Sequence, residues 1–101
     1  MTYQLIISEE TELDIEDAFE WYRVRNPRLG SEFVRAIDAT ISRIGNNPFA
    51  YPKVQRQARR ILLHRFPYSL LYTINEEENL ISVIGCFHSK RDSRILNDRL
   101  E

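Results

Sequence analysis

The stretch ARRILLHRFPYSLLY, residues 58–72, decides the fold. Upstream of it the apolar residues recur at helical spacing; from Arg60 onward they alternate. A change of period from 3.6 to 2 inside one chain marks the passage from helices to strands. Arg60 to Phe66, Tyr68 to Asn75 and Leu80 to His88 read as three strands, with turns at Phe66-Pro67 and at residues 75–79. Connections this short require an antiparallel meander. The stretch also sets a functional question, because Arg59, Arg60, His64 and Arg65 are threaded between branched apolar residues.

Working back toward the N-terminus, Tyr3, Leu5 and Ile7 alternate with polar positions and predict a short strand. Ser8 suits an N-cap, and Glu9, Glu10 and Glu12 favour the positive end of the helix that follows. Ile15, Ala18, Phe19 and Tyr22 form its apolar stripe. Asn26-Pro27 ends this helix and starts the next, with Asn26 as cap and Pro27 in the first turn. Phe33, Ile37, Ile41 and Ile44 form the second stripe. Gly45-Asn46-Asn47-Pro48 predicts a helix stop in which Gly45 takes the left-handed cap. The order is strand, helix, helix, three-strand meander and a short tail over Ser89–Glu101 that carries Ile95 and Leu96. This is an α+β fold, an antiparallel-rich sheet with a helical hairpin on one face.

The bulk properties set limits. The chain has 101 residues, which predicts a single domain over 1–101. A chain of that length buries about two thirds of its unfolded surface. With one cysteine, Cys86, no internal disulfide forms, and the composition suits a reducing cytoplasm. No apolar run reaches the ~18 residues that a membrane span needs, and the N-terminus lacks the basic start of a signal peptide. Residues 1–50 hold nine acids and five bases, and residues 51–101 hold six acids and nine bases. The net charge of −1 argues against bulk nucleic-acid binding. No glycine-rich phosphate loop, Ser/His/Asp set, paired carboxylates or metal-ligand spacing is visible, so neither cofactor nor metal is expected.

Sorted by strand face, the fuller apolar sets are Ile61 and Leu63, then Tyr68, Leu70, Tyr72 and Ile74, then Ile81, Val83 and Phe87. These are expected to meet the helices. The opposite face then shows Leu62, Leu71, Ile84 and Cys86, ringed by Arg60, His64, Ser69, Thr73, Ser82 and His88. A half-apolar face with a polar rim suits a protein partner. Trp21 and Tyr22 read as core or hairpin aromatics. Arg59 and Arg60 have the alternative of pairing with helix acids such as Asp14 or Glu16. Phe66-Pro67-Tyr68 is expected to plug the sheet corner.

Several ordered pieces carry a resemblance: Asp14-Ile15 and Trp21-Tyr22, Leu29-Gly30 with Phe33, Asn47-Pro48 with Tyr51-Pro52, Arg59-Arg60 leading to Arg65-Phe66-Pro67-Tyr68 and Tyr72, and His88 with Arg91. Together they cover nearly the whole chain. The set resembles the RelE/ParE superfamily of type II toxin–antitoxin toxins, and more closely its ParE-like branch. That resemblance implies a growth-arresting toxin neutralised by a co-expressed antitoxin; because half-apolar faces associate, a homodimer or an antitoxin-bound heterotetramer is the expected assembly. It implies one of two targets. ParE-like members poison DNA gyrase; RelE-like members cleave mRNA on the ribosome.

RNA cleavage needs a base, cations for the phosphorane and an acid for the leaving oxygen. RelE-like members place an arginine just after the tyrosine that opens the third strand, another on the fourth strand, and a late Tyr or His in the tail. Here Ser69 follows Tyr68, residues 80–87 hold no cation, and the tail after His88 has neither Tyr nor His. What remains for a nuclease is Arg60, His88 and Arg91, with His64 and Lys90 nearby in sequence. The reading therefore leans away from an enzyme and toward a protein-binding poison with gyrase as its target. Arg60, Leu62, His64, Leu71, Ile84, His88, Arg91 and Arg94 are the expected contacts with target or antitoxin. A ribosome-dependent endonuclease and a non-toxic, antitoxin-binding relative stand as the alternatives.

Overall fold

The computed structural model describes residues 3–89. Strand β1 (Gln4–Ile7) leads into helices α1 (Glu9–Arg25) and α2 (Pro27–Asn46), followed by strands β2 (Lys53–Gln55), β3 (Ala58–Leu62), β4 (Tyr68–Asn75) and β5 (Leu80–His88). The sheet runs in the order β1-β5-β4-β3-β2. β1 lies parallel to β5, and the other neighbours are antiparallel. The expected tail helix over Ser89–Glu101 lies outside the described residues from Lys90 onward, as do Arg91 and Arg94. No helix among the described residues is long and apolar enough to cross a membrane.

Local chemistry fixes the helix ends. Ser8 Oγ accepts from the Thr11 amide at 3.1 Å, and Asn26 Oδ1 accepts from the Arg28 amide at 3.0 Å with Pro27 opening α2. The expected cap at Gly45 is corrected: Gly45 is helical, no glycine has a positive φ, and Asn47 ends α2 by donating its N–H to Arg43 O at 3.2 Å. Gly30 serves the hairpin instead. A Cβ there would stand 3.1 Å from Arg23 Cβ and 3.2 Å from Phe19, tighter than ordinary packing, so glycine favours the close approach of α2 to α1.

Two strand boundaries differ from the reading of the sequence. β2 was not foreseen, because three residues with two exposed side chains carry no alternation. β3 spans Ala58–Leu62 rather than Arg60 to Phe66. Arg65 sits at φ 73°, in the left-handed region, and Pro67 has no N–H to donate, so the ladder stops and Leu63–Pro67 forms a connection. His64 is therefore an exposed residue of that connection and not a strand residue.

The core lies between hairpin and sheet. Ala18, Phe33, Ile37 and Ile44 pack against Ile61, Leu63, Leu70, Tyr72, Ile81 and Val83. At one corner Tyr22, Phe33, Phe66 and Tyr68 form an aromatic cluster, with Phe33 5.3 Å from both Phe66 and Tyr68 between ring centroids. This is the plug expected of Phe66-Pro67-Tyr68.

Tyr72 ties the loop after α2 to the sheet. Its ring is fully buried, and its hydroxyl donates to Pro48 O at 2.6 Å. Burial pushes the Tyr72 phenol up from 10.0 to about 12, against the opposing pull of the Arg59 charge. A folded-state pKa above the unfolded one means the native state holds its proton more tightly between those values. Stability from this group is complete below pH 10, and it is lost as pH rises toward about 12. Tyr72→Phe is expected to cost about 1 kcal/mol at neutral pH. The same variant should lose much of the alkaline decline, leaving the share of Tyr22, whose phenol is also raised by burial. Urea unfolding at stepped pH measures both effects.

Candidate functional site

The face of the sheet turned away from the helices depends on one irregularity. Leu71 pairs with Gly85, but the next residue, Tyr72, pairs with Val83, so Ile84 is an extra residue in β5. A bulge of this kind shifts the alternation by one and exchanges the faces of everything beyond it. Cys86 pairs with Leu70 and joins the main core, 2% exposed. Phe87 pairs with Ser69 and joins Ala58 and Leu71 in a second cluster, with Ile84 against it. His88 pairs with Tyr68 on the helix side, their ring centroids 5.2 Å apart.

Three expectations are thereby corrected. Phe87 belongs to the outer face, while Cys86 and His88 belong to the helix side. The signal available in the sequence was Gly85, since a glycine inside a strand often marks a bulge.

The bulge is held from above by α1. Thr11 Oγ1 donates to Val83 O at 3.1 Å, and the Cys86 amide donates to Asp14 Oδ2 at 3.1 Å. Thr11 and Asp14 are three residues apart on a helix and so share a face. They serve backbone groups on the two sides of the irregularity, adding to the bond that the Ser8 amide already gives the Val83 carbonyl.

On the outer face, Arg60 and Leu62 stand exposed, Leu62 at 56%. Leu71 and Phe87 are 3% and 7% exposed, so they build the second cluster rather than a free surface. Ile84 is half-buried beside them. The other cations of the decisive stretch have structural work. Arg59 Nη1 donates to Tyr51 O at 2.6 Å and to Phe49 O at 3.3 Å, and its guanidinium lies 5.4 Å from the Phe49 ring centre. The expected alternative of an ion pair with Asp14 or Glu16 is thus replaced by carbonyl contacts. Arg65 Nη2 meets Glu32 Oε1 at 2.9 Å. Among the described residues, the Arg60 side chain makes no hydrogen bond or ion pair.

The candidate residues therefore divide. Arg60, Leu62, Leu71 and Ile84 share the outer side; His64 lies in a connection; His88 is on the helix side with Tyr68. Among the described residues no group of His, Cys, Asp or Glu is placed to hold a metal ion.

The single thiol reports on this register. In the native chain Cys86, 2% exposed, should resist a thiol reagent by orders of magnitude relative to the unfolded chain. Asp14→Ala removes the acceptor of the Cys86 amide and should cost about 2 kcal/mol, with faster labelling of Cys86.

The family model described as ParE toxin of type II toxin-antitoxin system, parDE, matches residues 5–93. Among solved structures, the chain is similar to one from the chromosomal ParDE system of P. aeruginosa, with TM-score 0.76 and 15% identity over 86% of this chain and 96% of that one. It is similar to one from the toxin–antitoxin complex RelBE2 of Mycobacterium tuberculosis, with TM-score 0.61 and 15% identity over 87% and 99%. It is also similar to a free double arginine-to-alanine mutant of the E. coli toxin RelE, with TM-score 0.61 and 16% identity over 99% and 96%. No curated protein sequence matches. The sheet topology, the helical hairpin and the match over residues 5–93 place the chain in the ParE toxin family of type II toxin–antitoxin systems, within the RelE/ParE superfamily.

Proposed function

We propose that this toxin arrests growth in the cytoplasm by binding a protein target, DNA gyrase, and not by cleaving RNA. A cognate antitoxin neutralises it. The observation that carries this reading is the division of the chemical groups between two sides of the sheet. An RNA-cleaving site has to bring base, cation and acid to one phosphodiester. Arg60 faces one way, and His88 faces the other, packed edge-on against Tyr68. Ser69, in the place where RelE-like chemistry wants an arginine, is 3% exposed and closed off. β5 contains neither lysine nor arginine.

The exposed Arg60 and Leu62 fit a protein interface better than a catalytic centre, because arginine is enriched at interfaces and Leu62 offers exposed apolar surface beside it. The similarity to chains from toxin–antitoxin complexes supports an antitoxin as one partner.

The test is a supercoiling assay with purified gyrase and this chain, together with ribosomes programmed with mRNA. Inhibited supercoiling and intact mRNA are expected. Untouched gyrase at tenfold excess of toxin, with mRNA cut on the ribosome, would overturn the proposal. Arg60→Glu should weaken gyrase inhibition at least tenfold, and His88→Ala should leave it within about twofold.

A further inference from the structure

Helix α1 has apolar residues on both of its sides. Ile15, Ala18, Phe19 and Tyr22 face the sheet and join the core. Leu13 and Val24 point the other way, 60% and 70% exposed. Trp21 flanks them and is 51% exposed even with the Arg25 guanidinium on its ring, which corrects its reading as a core residue. A surface helix with one buried stripe ordinarily keeps its opposite face polar. Leu13 and Val24 are about three turns apart, so they lie on one line of the helix at a spacing of about 16 Å.

The charge of this helix is divided along its length. Residues 9–18 hold six acids and no base, and residues 19–28 hold one acid and three bases. Two such helices repel when laid side by side in parallel and attract when antiparallel, because each acidic half then lies beside a basic half. An antiparallel pair of identical helices is a two-fold contact in which every interaction occurs twice. With the axis midway between Leu13 and Val24, Leu13 of each copy meets Val24 of the other. On one flank Arg23 then falls between Glu12 and Glu16 of the second copy. Glu12, Glu16 and Arg23 are all exposed. The one carboxylate of the basic half, Glu20, is already neutralised by Arg23 Nε at 2.6 Å on the same copy.

We propose that the outer face of α1 is the seam of a homodimer, in which α1 of one copy packs antiparallel on α1 of a second. This surface is separate from the sheet face that carries Arg60 and Leu62, and it stands independently of the choice of gyrase as target. With 17 residues, α1 is about 26 Å long. One helix pair of that length is small for a stable interface, so a dissociation constant on the order of tens of micromolar is expected.

Sedimentation equilibrium of the full chain, from micromolar to near-millimolar concentration, tests the proposal. A reversible monomer–dimer equilibrium is expected. The double variant Leu13→Asp/Val24→Asp should stay monomeric at every concentration, with an unchanged circular dichroism spectrum because both positions lie outside the core. Leu62→Asp should leave the dimer intact. Arg23→Glu and Glu16→Arg should each weaken association about tenfold when alone. An equal mixture of these two variants should restore it, since each copy then supplies the charge that the other lacks. A monomer throughout would overturn the proposal. So would a dimer lost with Leu62→Asp and kept with Leu13→Asp/Val24→Asp, or a mixture that fails to recover.

Discussion

The grip of α1 on the bulge of β5 is the constraint on which the rest of this molecule depends. Thr11 and Asp14 satisfy the Val83 carbonyl and the Cys86 amide, one on each side of Ile84. Val83 O accepts a second bond from the Ser8 amide at 3.1 Å, so the cap of the helix and the bulge of the strand share one oxygen. This fixes α1 over β5 at a set rotation. It also decides which way Cys86, Phe87 and His88 point. The composition of the outer face follows, with its cluster of Ala58, Leu71 and Phe87.

The distribution of arginine has a physical logic. Arg59 binds two carbonyls of the loop after α2, and Arg65 pairs with Glu32 on the helix above. Each ties a connection to an element beside it. Arg60 is different, since it stands on the outer face beside Leu62 and spends its charge on no described group. A chain of net charge −1 therefore carries its basic stretch in part for structural reasons, with Arg60 left for the recognition role proposed above.

Much of this was legible from the residues. The alternation over Tyr68–Asn75 and Leu80–His88 fixed both strands, and Ser8 and Asn26-Pro27 fixed the helix starts, because caps and period are local chemistry. The bulge was not legible as such. A period-two pattern looks the same on either side of an inserted residue, and only Gly85 hinted at it. β2 was too short and too exposed to alternate. The edge-on contact of His88 with Tyr68 was not legible either, since it arises only through the pairing of β4 with β5. Long-range register is what local sequence does not encode.

The central claim is that the toxin acts on a protein of DNA metabolism and not on translation. Pulse-labelling of DNA and protein synthesis, in cells just after this chain is induced without antitoxin, tests it most directly. The account predicts that DNA synthesis falls first, with protein synthesis following. An initial fall in protein synthesis would contradict it and would return Arg60, His88 and Arg91 to the position of catalytic candidates.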